Sequence, residues 1–331
     1  MTYENLNDDP SRQMFAPPPP PPPEPPPPTL LNKCQNESTP LKGCLPDSKP
    51  TWKRISSGDD SKNYTDVKET LRKEMYYAIK KLPKWRKEED LEEKSVWLSS
   101  ISYVTPLIQE GPTCGLVVLE LAMRLLQQKG ENVNSIFEKA RENCFTLQGE
   151  MFSAQNMLDL ATSVFKCSGE LLSGGLRKHK EELTTALQRG EPVLVPYDAD
   201  ANHEPTCKRG HKAHWTLLTG YLVRIPNIHA DIEHIKYLGY SQDPVYPNLF
   251  HATSAKPEIQ RLKFFLGCEE DLFVFARQGK SRHLGLWCFS SLSESNDNLV
   301  EFSPSRDDND YVLPPGGVKE GLCGKAVILQ P

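Results

Sequence analysis

Cys114 stands at the one place in this chain where a thiol is set up for nucleophilic chemistry. It follows the turn residues Gly111, Pro112 and Thr113 and directly precedes the best amphipathic stretch, Leu116 to Gln128. There Val117, Leu121 and Leu125, with Val118 and Ala122, form one apolar stripe. Unpaired N–H groups and the macrodipole at a helix N-terminus favour negative charge, so the thiolate is expected to be stabilised there. Gly115 is expected to leave room for a substrate carbonyl, with the Cys114 N–H and the Gln109 amide as its oxyanion donors. The base expected for this thiol is His214, which opens an apolar strand beside a water-excluding Trp215. Asp243 ends the next expected strand, in Tyr240-Ser-Gln-Asp243-Pro244. If the two strands are antiparallel neighbours, Asp243 comes close to His214 and orients its ring.

Each residue alone has a plainer reading. A cysteine before a helix is ordinarily a small buried hydrophobe. An Asp-Pro pair ordinarily starts a turn, and Gln109 alone reads as a solvated polar residue. The chemical reading rests on the order Gln109, Cys114, His214, Asp243, with the cysteine on a helix and the other two partners on a sheet, which is the papain-like arrangement. A rival shares one member: His203, Cys207, His211 and His214 are all zinc-ligand types within twelve residues. That stretch contains Pro205 and Gly210 and matches no standard zinc spacing, so no metal or cofactor is expected. Leu322-Cys323-Gly324 reads as core.

Asp66 to Leu82 reads as a helix that ends at Pro83. Trp85 to Trp97 reads as a charged connection, and Ile101 to Ile108 as an apolar run broken by Pro106. Further helices are expected over Val133 to Asn143, over Ala154 to Phe165 with Ser153 as N-cap, and over Arg177 to Gln188. Strands are expected at Pro192 to Tyr197, His214 to Val223, Tyr237 to Tyr240, Leu272 to Ala276, Leu284 to Phe289 and Ala326 to Leu329. Helices precede strands, which predicts an α+β domain with helices packed on an antiparallel sheet. No internal repeat is present.

The chain has 331 residues, a net charge of −5 and 29 prolines. Eleven of the twelve residues from Pro17 to Pro28 are proline. Such a run lacks backbone donors and adopts an extended polyproline II rod. Together with its polar flanks it makes residues 1–58 a disordered proline-rich tail and leaves residues 59–331 for the folded domain. The run itself reads either as a soluble spacer or as a ligand for a proline-binding groove. Seven unbroken prolines without a flanking arginine fit profilin better than SH3. The mildly acidic balance gives no footprint for nucleic acid. No apolar run approaches the ~20 residues that span a bilayer. The first ten residues lack the marks of a secretory signal and residue 2 is Thr, so neither a secretory signal nor N-myristoylation is expected. A cytoplasmic location is expected, with the nine cysteines as thiols.

The stretches LIQEGPTCGLV, LQGEMFSAQNM, LLSGGL, NHEPTCKRGHKAHW, LGYSQDP, RQGKS, FSPSR and GGVKEGLCG together resemble the actin maturation proteases, over the chain from about Pro106 to its end. The resemblance implies a papain-like, C39-like peptidase domain over residues 59–331. It implies a cytoplasmic cysteine aminopeptidase that removes the acetylated N-terminal Met or Cys of immature actin, with profilin contacted through Pro17 to Pro28. It carries over Cys114 as nucleophile, His214 as base and Asp243 in the Asp-Pro pair. The separation of His214 from Asp243 is longer than in C39-type peptidases, and Gln109 is one residue closer to the cysteine than in papain. Asp198 or Asp200 is the alternative partner for His214. The other functional readings are a catalytically inert papain-like binding module and a zinc protein using the His203–His214 cluster.

Overall fold

A computed structural model describes residues 64–88, 95–128, 130–226, 231–253 and 269–331. The proline run at 17–28 and the rest of the expected tail lie outside these residues.

The helices follow from their apolar faces and caps. In α1 (Tyr64–Lys81), Met75 and Ile79 lie one turn apart and are buried. Pro83 then opens the short α2 (Pro83–Glu88), because a missing N–H costs nothing at a first helical position. The central helix α3 (Cys114–Leu125) is buried from Cys114 to Met123. Asn132 caps α4 (Val133–Glu142) in a reciprocal bond with Ser135. Ser153 caps α5 (Ala154–Val164) by accepting the Asn156 N–H, as expected. Among the described residues α6 (Lys180–Gln188) is followed by α7 (Ile232–Tyr237), α8 (Phe289–Asp297) and α9 (Gly317–Leu322).

Among the described residues ten strands form one sheet: β1 (Val96–Ile101), β2 (Ser168–Ser173), β3 (Val193–Ala199), β4 (Pro205–Thr206), β5 (Ala213–Ile225), β6 (Tyr240–Gln242), β7 (Leu249–Ala252), β8 (Leu272–Arg277), β9 (Gly285–Cys288) and β10 (Lys325–Gln330). Its main path runs β2-β10-β3-β5-β1-β7-β6. β5 is the hub: its first half pairs with β3, its second half with β1, and β8 lies along its other edge. The α+β class is the one expected, with a refinement, since β1 and β7 run parallel while the other pairs are antiparallel.

β3 is buried at every position and β5 at most, as befits strands covered on both faces. One face of β5 presents Trp215 and Leu217 to Leu116 and Val117 of α3 and to Met157 of α5. Further along the same face, Leu222 joins Trp97, Phe275 and the α1 residues Met75 and Ile79. The opposite face packs Leu218 and Tyr221 against Leu183 and Leu187 of α6 and Leu292 of α8. Gly220 sits beyond a register shift in β5 because β1 passes close by; a Cβ there would stand 2.1 Å from the Ser100 carbonyl oxygen.

Several elements depart from expectation. Tyr237 to Tyr240 is the end of α7, a left-handed Gly239 and the start of β6, not a strand. β1 falls partly on a stretch read as a charged connection, and β2 and β7 are short strands with no clear alternation. The largest correction concerns Asp243. The strand that follows β5 in the chain is not its neighbour in the sheet, because β1 and β7 lie between β5 and β6. The Asp243 N–H donates to the Leu249 carbonyl, and Leu249 pairs with Trp97, which pairs with Arg224. Asp243 therefore lies in the row of Arg224, ten residues along β5 from His214. At about 3.3 Å per residue the two are about 30 Å apart along the strand alone.

Candidate active site

The turn before α3 is held from two sides. The Gln109 N–H donates at 2.7 Å to the carbonyl of Gly279, in the turn just after β8. Gly111 takes a left-handed φ of +63°, and Thr113 Oγ1 donates to the Glu110 carbonyl at 2.8 Å. Cys114 emerges at the first helical position, where its own N–H has no partner within the helix. Thr113 supplies no side-chain cap.

Cys114 and His214 line one cavity of about 350 Å³, together with Gln109, Glu150, Lys212, Lys280 and Arg306. β5 brings His214 there from the sheet. Tyr197 faces His214 across the β3–β5 pair, with ring centres 6.4 Å apart, and the His203 ring stands edge-on at 6.4 Å. Trp215 anchors the strand to the helical side by donating from Nε1 to the Met151 carbonyl at 2.8 Å.

The electrostatics differ from the expectation of a depressed thiol. Burial pushes the Cys114 thiol up. The Trp215 N–H pulls it back, the Glu150 charge pushes it up again, and the Gly115 N–H and Lys280 pull it down. The net direction is upward, so burial outweighs the two backbone N–H groups and Lys280. His214 is lowered from 6.5 to about 4, first by burial and then by the charges of Lys280, His203, Arg306 and Lys212. Both directions favour the neutral forms, thiol and imidazole, of the two residues that line this cavity.

The other expected site residues fare differently. Gln109 is buried at the cavity wall; its Nε2 donates to the Gly111 carbonyl at 2.7 Å, while Oε1 has no partner among the described residues. Gly115 does not face a substrate space: a Cβ there would meet Met157 Cε at 2.7 Å and Met151 Cγ at 3.1 Å, so its bareness serves packing. Asp243 forms a clasp elsewhere. Its Oδ1 and Oδ2 accept from the Tyr76 hydroxyl at 2.7 and 2.6 Å, and His251 Nε2 lies 2.7 Å from Oδ2. Burial pushes the Asp243 carboxyl up, but the bonds from Tyr76, His251 and the Tyr246 and Val245 N–H groups outweigh it and hold it low.

The alternative carboxylates are also occupied. Asp198, fully buried, accepts from the backbone N–H of Lys208, Gly210 and Lys212 at 2.6, 2.8 and 2.9 Å. It thereby shapes the loop that enters β5 two residues before His214. Asp200 accepts from the N–H of Asn202 and Glu204 within its own turn. Among the described residues no carboxylate hydrogen-bonds the His214 ring. The zinc reading gains nothing either. His211 pairs with Glu301 at 3.3 Å, Cys207 is exposed, and among the described residues no group of three or more ligand-type side chains is arranged to hold a metal.

The reading of single residues missed Glu150, Lys212, Lys280 and Arg306. Each lies in a stretch that carries the family resemblance: LQGEMF, GHKAHW, RQGKS and FSPSR. The signal was there, but only folding shows that these stretches meet.

Comparison with known proteins follows the same residues. The family model described as actin maturation protease-like, C-terminal domain, matches residues 104–222, which include Cys114 and His214 but not Asp243. The actin maturation protease of Bos taurus is 40% identical over 255 residues, covering 76% of this chain and 70% of its own. That of Xenopus tropicalis is 41% identical over 239 residues, covering 71% and 74%. The Drosophila melanogaster protein of the same name is 33% identical over 247 residues, covering 70% and 73%. A C39-like peptidase from Bacillus anthracis, known from its crystal structure, aligns over 72% of this chain and 98% of its own at 13% identity, with a TM-score of 0.34, too slight a likeness to define a fold. With identity of this level running through most of both chains, this chain belongs to the actin maturation protease family.

Proposed function

We propose that this chain is a cysteine aminopeptidase that removes the acetylated N-terminal Met or Cys from immature actin. The observation that carries the reading is Cys114 at the N-terminus of α3 and His214 on β5 lining one cavity. The names of the relatives supply actin as the substrate.

The chemistry runs as acyl transfer. Neutral His214 takes the Cys114 proton as the sulfur attacks the carbonyl carbon of the acetylated residue. The oxyanion is held by the Cys114 N–H, with the Gln109 Nε2 hydrogen not given to Gly111 as second donor. The imidazolium returns its proton to the leaving amine, the C–N bond breaks, and a thioester remains on Cys114. Water, deprotonated by His214, then releases the acetylated amino acid and restores the thiol. The Tyr197 ring flanks the imidazole, with ring centres 6.4 Å apart, and among the described residues no carboxylate bonds it.

The proline run at 17–28 is a tether on this reading. It recruits profilin-bound actin, raises its local concentration and takes no part in the chemistry. Its support is compositional: eleven prolines in twelve residues. A cytoplasmic location fits the six described cysteines, which are all free thiols. No helix among the described residues is long and apolar enough to cross a membrane.

The test is mass spectrometry of the actin N-terminus after incubation with wild type or Cys114→Ala. Wild type is expected to remove the acetylated residue and the variant to leave it. Removal by the variant refutes the assignment.

A further inference from the structure

The cavity beside Cys114 holds a carboxyl group that the acyl-transfer chemistry leaves idle. Glu150 follows Gly149, whose φ of +119° and missing Cβ let the loop press on Thr113; a Cβ would stand 2.7 Å from Thr113 Cγ2. The loop is fixed on both sides. The Gly149 N–H donates to Thr146 Oγ1 at 2.8 Å, and the Met151 carbonyl accepts from Trp215 Nε1. The Glu150 side chain is only 11% exposed. Its Oε1 has a loose ion pair with Arg306 at 3.8 Å, too long for a hydrogen bond. Its Oε2 is buried and has no hydrogen-bond partner among the described residues.

A buried acceptor without a donor is costly, and native proteins rarely leave one so. In a substrate cavity the missing donor is naturally supplied by the substrate. A peptide N-terminus offers either an ammonium or, when acylated, an amide N–H. Lys212, Lys280 and Arg306 line the same cavity, so an ammonium would meet three cations against one carboxyl group. An amide N–H carries no net charge and escapes that repulsion.

We propose that the Glu150 carboxyl, by turning its sealed and unpartnered Oε2 toward the cavity, accepts a hydrogen bond from the amide N–H of the substrate's acyl-blocked first residue, and so holds the blocked N-terminus over Cys114. Glu150 is then a specificity residue, and the cations around it make the site reject free N-termini. This inference rests on the aminopeptidase reading.

The test pairs two substrates with three enzymes. One substrate is an acetylated peptide. The other is its analogue with an ester oxygen in place of the first residue's N–H, alike in shape but without the donor. The enzymes are wild type, Glu150→Ala and Glu150→Gln. For the acetylated peptide, Glu150→Ala is expected to raise KM roughly tenfold or more with kcat little changed. Glu150→Gln keeps an acceptor and is expected to stay within about threefold of wild type. The ester analogue should cost wild type a similar factor and cost Glu150→Ala nothing further. Alkylation of Cys114 by iodoacetamide should proceed in both variants at least as fast as in wild type, since the Glu150 charge holds the thiol up. Additive losses in the Ala variant, or an ester analogue that wild type binds as well as the amide, overturn the proposal and leave the aminopeptidase reading standing. A wild-type enzyme that cleaves neither substrate overturns both.

Discussion

His214 gives the sharpest quantitative test of this site, through acid. Its imidazole is held at about 4 rather than 6.5, by burial first and by the charges of Lys280, His203, Arg306 and Lys212 after that. In the unfolded chain the ring takes up a proton near pH 6.5, whereas in the folded chain it resists until about pH 4. Between those values the unfolded state binds more protons, so folding stability rises with pH and is lost as pH falls. The full stabilisation is present above pH 6.5. Each pH step of one across that window is worth about 1.4 kcal/mol, so the penalty is about 2 kcal/mol at pH 5 and about 3 kcal/mol at pH 4. His214→Gln carries no such linkage. Urea unfolding of both proteins from pH 7.5 to pH 4 isolates it, because the other titrating groups cancel in the difference. Wild type is expected to lose about 2 kcal/mol relative to the variant by pH 5. A difference that stays flat over that range refutes the burial of a neutral imidazole beside these cations. The same value places the acid limb of kcat/KM near pH 4 instead of 6.5.

Asp243→Asn should lower stability by about 1–3 kcal/mol, by weakening the bonds to Tyr76 and His251, and leave kcat/KM within a few-fold of wild type. A loss of about 10⁴ in turnover, as for a triad acid, would mean that it reaches His214 after all. Asp198→Asn replaces one of two acceptor oxygens with a donor facing backbone N–H groups, so unfolding should show a loss of about 2–4 kcal/mol. Its kcat should fall too, because the loop leading to His214 loses its anchor; unchanged stability and rate would show that the anchor is dispensable. Gly321→Ala puts a Cβ 1.9 Å from the Phe152 carbonyl oxygen, so the backbone must move and the melting temperature should drop by an amount worth at least about 1–3 kcal/mol. An unchanged melting curve would show that α9 moves without cost.

Local pattern was enough for much of this protein. The apolar stripe of α3, the cap at Ser153 and the apolar runs of β3, β5, β8 and β10 are encoded within a few residues each, and they place Cys114 on a helix and His214 on a strand. The α+β class follows from their order. Strand order does not, because pairing depends on contacts between segments far apart in the chain. β1 begins inside a stretch read as a charged connection, yet it pairs with β5 and buries Trp97 and Leu98 on opposite faces. That pairing moves Asp243 to the far edge, where Tyr76 and His251 occupy it. Burial, too, is a property of the assembled domain: it raises a thiol that a bare helix terminus would lower, and it drives His214 down. The residue types able to do chemistry were legible in the chain itself. Which of them meet, and in what state of charge, was decided by the neighbours that folding brought to them.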